Sequence, residues 1–137
     1  MIVVDASSWV VGLVDVGPIG DAARAILSAE PDWAAPAHTP LEVLRTLRGY
    51  ESSGTLSTEA ADRFATGVME AEVRYFGPDP GLLAYTWQHR HNLSPDDAPY
   101  VGLAARHGVT LVTNDGRLAR AAQALGVTAV VPESSRS

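Results

Sequence analysis

Short apolar runs alternate with longer amphipathic segments along this chain. The runs are rich in Val and Ala and are bounded by turn residues, which is the pattern of short buried strands. They fall at residues 1–4, 32–36, 73–76, 109–113 and 127–131. The segments between them carry apolar residues at helical spacing, which predicts helices at 9–16, 21–30, 39–53, 57–70, 79–92, 94–108 and 115–126.

Capping residues mark several of the predicted helix ends. Ser7 or Ser8 can cap the first helix, and Thr39 stands as N-cap of the third, with a proline next and Glu42 completing a capping box. Gly108 ends the sixth helix. The predicted buried stripe of the third helix consists of Leu41, Leu44, Leu47 and Tyr50.

The start of the sixth helix is less regular. Ser94 and Pro95 followed by two acids make a good helix start, but Pro99 lacks an N–H and cannot lie in a helix interior. The helix therefore begins near Asp96 or Asp97, or its first turn is irregular.

Strands separated by helices predict an α/β domain with a parallel sheet. The 137 residues suit one domain, which we expect to span 1–132, with 133–137 as a loose tail. In such sheets, ligands bind beyond the carboxyl ends of the strands. Asp5 and Asp115 each follow a predicted strand directly, so we expect them to be neighbours.

Four carboxylates stand at or near helix starts: Asp5, Glu42, Asp97 and Asp115. Each alone can be read as a helix cap or as an acid in a first turn. Capping does not explain why all four fall where helix starts share one edge of the sheet. Two charges about 4 Å apart repel by about 4 kcal/mol at an effective dielectric near 20, and a divalent cation would cancel that repulsion. Oxygen donors without cysteine or a histidine cluster suit Mg²⁺ or Mn²⁺.

Composition excludes several classes of protein. A net charge of −6 counts against an ordinary nucleic-acid binder. The ten basic residues are all arginine, and without lysine there is neither a P-loop nor a Schiff-base mechanism. The lack of cysteine excludes disulfides and suits the cytoplasm. The apolar start carries Asp5 and no basic residue, so it is a poor signal peptide, and no apolar stretch is long enough for a membrane span.

Three segments together resemble the PIN-domain ribonucleases, in particular the VapC toxins of bacterial toxin–antitoxin pairs. They are "MIVVDASSWV", "APAHTPLEVLRTLRGY" and "DDAPYVGLAARHGVTLVTNDGRLARAA", and the resemblance covers nearly the whole chain. It implies a three-layer α/β/α domain with a central, mostly parallel sheet of four to five strands. It also implies hydrolysis of RNA phosphodiesters with Mg²⁺ or Mn²⁺.

Carried onto this sequence, the family's catalytic and metal-binding acids fall on Asp5, Glu42, Asp97 and Asp115. Asp97 matches rather than Asp96, because "DA-x-Y" follows it, and Asp96 is left as a supporting residue or a bystander.

The resemblance also gives roles to residues around the acids. Thr113 falls where the family often has a hydroxyl near the metal, and Ser7 is placed to support Asp5. Arg45 departs from the small polar residue common in relatives, and it can reach a phosphate or an antitoxin, or be solvated. Arg117 and Arg120 are candidates for the same contacts. The implied partners are RNA, an antitoxin of the VapB kind that covers the acidic groove, and a second copy of the chain.

Three rival readings remain open at this stage. A haloacid-dehalogenase-type phosphatase also begins with a strand ending in Asp, but it needs a second Asp where this chain has Ser7, and a later lysine. A phospho-acceptor signalling domain also needs a late lysine. A PIN-like module that binds RNA or protein without cutting has the same fold, and measurable turnover separates it from the nuclease.

Overall fold

The computed structural model describes residues 1–133, which form five strands and seven helices. The strands are β1 (Ile2–Val4), β2 (Trp33–Pro36), β3 (Val73–Phe76), β4 (Thr110–Val112) and β5 (Ala129–Val130). The helices are α1 (Ala6–Val14), α2 (Pro18–Ala29), α3 (Thr39–Ser52), α4 (Thr58–Glu70), α5 (Pro80–Gln88), α6 (Ala98–His107) and α7 (Gly116–Ala124). All the predicted strands and helices are confirmed, with shifts at their ends. Of the predicted tail, 134–137 lie outside the described residues.

The strands form one sheet in the order β3-β2-β1-β4-β5, and every pair is parallel. The first strand is therefore central, and the direction of strand addition reverses between β1 and β4. Crevices at such a reversal are where open α/β sheets bind ligands. The topology places the residues that follow β1 and β4 at this point.

Helices cover both faces of the sheet, because neighbouring strand residues point to opposite sides. Val3 packs with Leu111 against α5, α6 and α7, whereas Val4 packs with Val112 against helices α1 to α4. These valines are at most 1% exposed. The expected three-layer α/β/α arrangement is confirmed. Within residues 1–133, no helix combines the length and the hydropathy needed to cross a membrane.

The first helix begins earlier than the sequence pattern indicated. It starts at Ala6, and its N-cap is Asp5, whose side chain accepts a hydrogen bond from the Ser8 N–H. The prediction that Ser7 or Ser8 caps this helix was wrong. An aspartate is as good a cap as a serine, and the strand ends directly before it.

The start of α3 also differs from the prediction. His38 occupies the cap position without a side-chain capping bond, and Thr39 is already helical. The Thr39 hydroxyl instead donates to the Tyr100 hydroxyl at 2.9 Å, so no capping box forms with Glu42. Leu41 is 65% exposed, and Val43 is fully buried in its place.

The start of α6 agrees with one of the two alternatives. The helix begins at Ala98, with Asp97 as its cap residue and Pro99 in the first turn, where a missing N–H is tolerated. The Ser94 hydroxyl accepts from the Asp97 N–H at 3.1 Å and closes a separate turn before the helix. The helix ends at Gly108 with φ of 63°, a left-handed conformation that favours glycine.

Candidate active site

The Asp5 carboxylate lies at the carboxyl end of the central strand and is nearly buried, with the residue 4% exposed. It accepts hydrogen bonds from the Ser8 N–H at 2.9 Å and from the Ser7 hydroxyl at 2.8 and 2.9 Å. The Thr113 hydroxyl donates to it as well. Burial raises the pKa of Asp5, and these hydrogen bonds oppose the rise. The net effect is a raised pKa, because burial disfavours the charged form of Asp5 more than the hydrogen bonds favour it.

The two hydroxyls around Asp5 are themselves fixed by the loop after β4. The Asn114 N–H donates to Ser7 Oγ at 2.9 Å, and the Asp115 N–H donates to Thr113 Oγ1 at 3.0 Å. Each hydroxyl therefore accepts a backbone hydrogen bond and directs its own proton at Asp5. The structure thus places Ser7 and Thr113 in contact with Asp5.

Glu42 lies in the first turn of α3, one strand away from Asp5. His38 Nε2 lies 3.1 Å from its Oε1, and the Tyr100 hydroxyl donates to its Oε2 at 3.3 Å. Burial raises the pKa of Glu42. Its contacts with His38 and Tyr100 lower that pKa, and the charges of Asp96 and Asp97 raise it further. These acids are therefore close enough to act on one another.

The Tyr100 hydroxyl joins α6 to α3 beside Glu42. The residue is 1% exposed, and its hydroxyl accepts from Thr39 and donates to Glu42. Burial raises the pKa of Tyr100 far above its usual range, and the charges of Glu42 and Asp5 add to the rise. β1 and β2 are parallel neighbours, so Asp5, after β1, and Glu42, in the helix after β2, lie at the same edge of the sheet.

Asp97 and Asp96 differ in their surroundings. Asp97 is half-buried at the cap position of α6, but its side chain makes no capping bond. It borders a small cavity of about 170 Å³ that Arg117 also lines. Asp96 is exposed and borders a different cavity, together with His38. The preference for Asp97 over Asp96 as the site residue stays a prediction.

Asp115 caps α7. Its Oδ1 accepts from the Arg117 N–H at 3.0 Å and from the Leu118 N–H at 3.3 Å. Its own N–H bonds to Thr113, which donates to Asp5, so Thr113 links the two strand-end acids. The capping alternative therefore holds for Asp5 and Asp115, whereas the side chains of Glu42 and Asp97 cap nothing.

The predicted metal site has suitable donors but no assembled cage. Among residues 1–133, no three side chains of His, Cys, Asp or Glu lie close enough to hold one ion. The available donors are carboxylate and hydroxyl oxygens, which suit Mg²⁺ or Mn²⁺. In addition, the buried Oδ1 of Asn114 has no hydrogen-bond partner in the described part of the chain. The donor chemistry fits such an ion, and the ion itself stays a prediction.

The arginines expected near the acids are exposed. Arg45, Arg117 and Arg120 each lie on a helix surface, and none forms a salt bridge with any residue in 1–133. Arg120 reaches back over the start of α7, where its Nη1 would lie 3.2 Å from a Cβ placed on Gly116. Of the three, Arg117 and Arg120 belong to the helix that Asp115 caps.

Three site residues were missed from the sequence: His38, Thr39 in its present role, and Tyr100. Signals for two of them existed. His38 precedes Glu42 by four residues and Tyr100 follows Asp97 by three, which are the spacings of side chains on one helical face. Thr39 and Tyr100 are 61 residues apart in the sequence, so no local pattern predicts their contact.

Comparison with known proteins identifies the family. A sequence model of the PIN domain matches residues 2–124. Ribonuclease VapC3 of Mycobacterium tuberculosis is 38% identical over 120 residues, which cover 88% of this chain and 86% of that protein. Ribonuclease VapC9 of the same species is 36% identical over 133 residues, covering 96% and 99%.

Solved structures agree on the fold. The crystal structure of M. tuberculosis VapC20, a Sarcin-Ricin loop cleaving toxin, superposes with a TM-score of 0.68 at 22% identity, covering 96% of this chain and all of that one. FitAcB from Neisseria gonorrhoeae gives a TM-score of 0.64 at 18% identity. The chain therefore belongs to the PIN-domain family and, within it, to the VapC ribonucleases.

Proposed function

We propose that this protein is a metal-dependent endoribonuclease that acts as the toxin of a toxin–antitoxin pair. The observation that carries the proposal is the match along nearly the whole chain to VapC ribonucleases. The placement of three of the four acids supports it, because Asp5 and Asp115 follow neighbouring strands at the reversal of strand order and Glu42 lies in the helix after β2, at the same edge.

In this proposal Asp5, Glu42, Asp97 and Asp115 hold Mg²⁺ or Mn²⁺. When bound, such an ion activates water and neutralises charge on the phosphate. Asp5 is the central ligand, since Ser7, Ser8 and Thr113 fix its orientation. Asp97 makes no capping bond, so its carboxylate is free to turn toward Asp5.

The remaining residues of the edge act on geometry and charge. Tyr100 and His38 hold the two oxygens of Glu42. Arg117, beside Asp97, and Arg120, over the start of α7, are placed to receive RNA phosphates. Water would be excluded only on the buried side, around Asp5.

The test is cleavage of a mixed structured RNA pool by the purified chain with Mg²⁺, with Mn²⁺ and with EDTA. Asp97→Asn is expected to lower cleavage at least 100-fold, and to lower it far more than Asp96→Asn does. Asp62→Asn, an exposed carboxylate on α4, is the matched control and should leave the rate unchanged. Cleavage that persists in EDTA, or equal losses in the Asp96 and Asp97 variants, would contradict the proposal.

A second candidate function has one observation in its favour. Since no three acids among residues 1–133 are close enough to hold an ion, the chain could be a PIN-like module that binds RNA or protein without cutting. The same assay separates the two, and calorimetric titration with Mn²⁺ adds a readout independent of substrate. Binding of Mn²⁺ that is lost in Asp5→Asn favours the nuclease.

We also propose the partners implied by the family: an antitoxin of the VapB kind that covers the acidic edge, and a second copy of the chain. Both are proposed to act with it in the cytoplasm. Light scattering after size exclusion measures the dimer. Adding the purified antitoxin to the cleavage assay should abolish cutting, and undiminished cutting by the complex would refute coverage of the acids.

A further inference from the structure

A second cavity opens beside the candidate active site, on the side of β2 and β3. It has a volume of about 470 Å³, within the range of small-ligand pockets. Its walls are the apolar side chains of α5, the Phe76 ring and four prolines, Pro36, Pro78, Pro95 and Pro99. A larger groove of about 570 Å³ between α1, α2 and β2 contains none of the four acids.

The Phe76 and proline walls of the cavity are rigid before any ligand arrives. The Phe76 ring packs on His107 with 5.2 Å between ring centroids, and the Phe76 carbonyl accepts from the Ala37 N–H at 2.9 Å. Proline rings have little conformational freedom to lose on binding. Filling such a preformed pocket therefore costs little ordering entropy.

Two residues that line the cavity, His38 and Asp96, connect it to Glu42. His38 Nε2 lies 3.1 Å from Glu42 Oε1 and 3.1 Å from the Asp96 backbone carbonyl. A group held in the cavity is therefore separated from Glu42 by one imidazole ring.

The chemistry of the lining selects the ligand. Among residues 1–133, no arginine borders the cavity, and the Asp96 carboxylate would repel a phosphate. Flat apolar walls and a ring suit a planar heterocycle, and single-stranded RNA is commonly read by unstacking bases onto such surfaces. The Asp96 carboxylate only accepts hydrogen bonds, so it favours a base edge with N–H donors, and guanine offers two side by side.

We propose that this cavity binds the unpaired nucleobase next to the phosphodiester that is cleaved. The inference rests on the proposed ribonuclease function. It adds that this pocket recognises one base of the RNA. The phosphates would then run toward the side of Arg117, away from the cavity.

The test compares short single-stranded RNAs that span a mapped cleavage site, intact or abasic at each nucleotide flanking the bond. The wild type should cut the intact RNA about tenfold faster than one of the abasic RNAs, as expected for the loss of one stacked base. Thr86→Trp, half-buried on α5, fills the cavity and should lower cutting of the intact RNA to the abasic rate. Ala84→Trp, exposed on the same helix, is the matched control and should preserve the tenfold ratio.

If Thr86→Trp keeps the tenfold ratio between intact and abasic RNA, the proposed base pocket is wrong. It is also wrong if the wild type cuts every abasic RNA as fast as the intact one. Neither result contradicts the proposed nuclease function. Equal losses on intact and abasic RNA leave that ratio unchanged, so they overturn the base pocket too. Ala37→Phe, at an exposed position on the rim, replaces Thr86→Trp if that variant does not fold.

If no RNA is cut, the proposed nuclease function is wrong. The base pocket is then tested separately by measuring RNA binding. RNAs with 2-aminopurine at single positions should change fluorescence on the wild type and on Ala84→Trp, but not on Thr86→Trp. Unchanged fluorescence at all positions overturns the pocket.

Discussion

Tyr100→Phe removes a single hydroxyl that joins α6 to α3 at the candidate site. That hydroxyl is buried, accepts from Thr39 at 2.9 Å and donates to Glu42 at 3.3 Å. The variant leaves the Thr39 hydroxyl, in a residue with no exposed surface, without its partner. Leaving a buried polar group unpaired costs about 1–3 kcal/mol. For a domain of this size the melting temperature should fall by about 3–10 °C.

The bond to Glu42 contributes less to that loss, because this side chain is 29% exposed and water can replace the phenol. Its effect should show in titration instead. The Tyr100 hydroxyl favours the ionised carboxylate and lowers the pKa of Glu42. Tyr100→Phe should therefore raise the pKa of Glu42 further, measured by carboxyl carbon NMR in metal-free protein.

A double-mutant cycle tests the reasoning. Thr39→Val alone leaves the Tyr100 hydroxyl unpaired on one side, whereas both changes together leave no orphaned hydroxyl. The double variant should therefore be about 1 kcal/mol more stable than the sum of the single losses predicts. Tyr75→Phe, at an exposed tyrosine, is the control and should change stability by less than about 0.5 kcal/mol. Additive losses, or a pKa of Glu42 that does not move, would refute the coupling.

Two further predictions concern stability. Burial raises the pKa of Asp5 above its ordinary 3.8, so the folded state binds that proton more tightly than the unfolded state and loses stability as the pH rises through about 4 toward neutrality. The urea unfolding free energy of Asp5→Asn minus that of wild type, in EDTA, should therefore be larger at pH 7 than at pH 4; a flat difference contradicts this. A Cβ on Gly20 would lie 1.9 Å from the Asp15 carbonyl oxygen, so Gly20→Ala should lose about 2–3 kcal/mol. Gly67→Ala, with nothing within 4 Å, should gain about 0.5–1 kcal/mol, and equal effects of the two alanines in calorimetry would refute the packing argument.

The fold was accessible from the sequence because its signals are local. The run from Met1 to Val4 is apolar on both faces, as a central parallel strand must be, and β1 indeed lies in the middle of the sheet. Gly108 marks a helix end because its backbone adopts the left-handed conformation that glycine favours. Even β3, a short run without a clear period, pairs in register with β2.

Two errors on α3 arose where contacts with other parts of the chain outweighed a local preference. Thr39 has the composition of an N-cap, but its hydroxyl is taken by Tyr100 from another helix. Leu41 fits the helical repeat, but it lies in the first turn and is left exposed, while Val43 fills the core. Spacing along one helix cannot reveal which side of its first turn another element will cover.

The contacts of the candidate site also fall into those that the sequence could predict and those that it could not. Placing Asp5 beside the end of β4 needed only parallel strands, and the Asp5 N–H indeed bonds to the Val112 carbonyl at 3.2 Å. The link through Thr113 follows from that register. The contacts of Glu42 with His38 and Tyr100 depend on how α3 meets α6, which the sequence does not specify.

Capping separates the four acids into two kinds, and the difference bears on function. The side chains of Asp5 and Asp115 cap helices, so each has a structural role besides any function. Glu42 and Asp97 stand at helix starts without capping, and Glu42 bears a charge that burial and its acidic neighbours disfavour. A fold selected for stability alone would replace such a carboxylate, because neutralising it removes both penalties. Its presence is explained if a positive charge reaches this edge during function, which is the condition that a metal-dependent ribonuclease would satisfy.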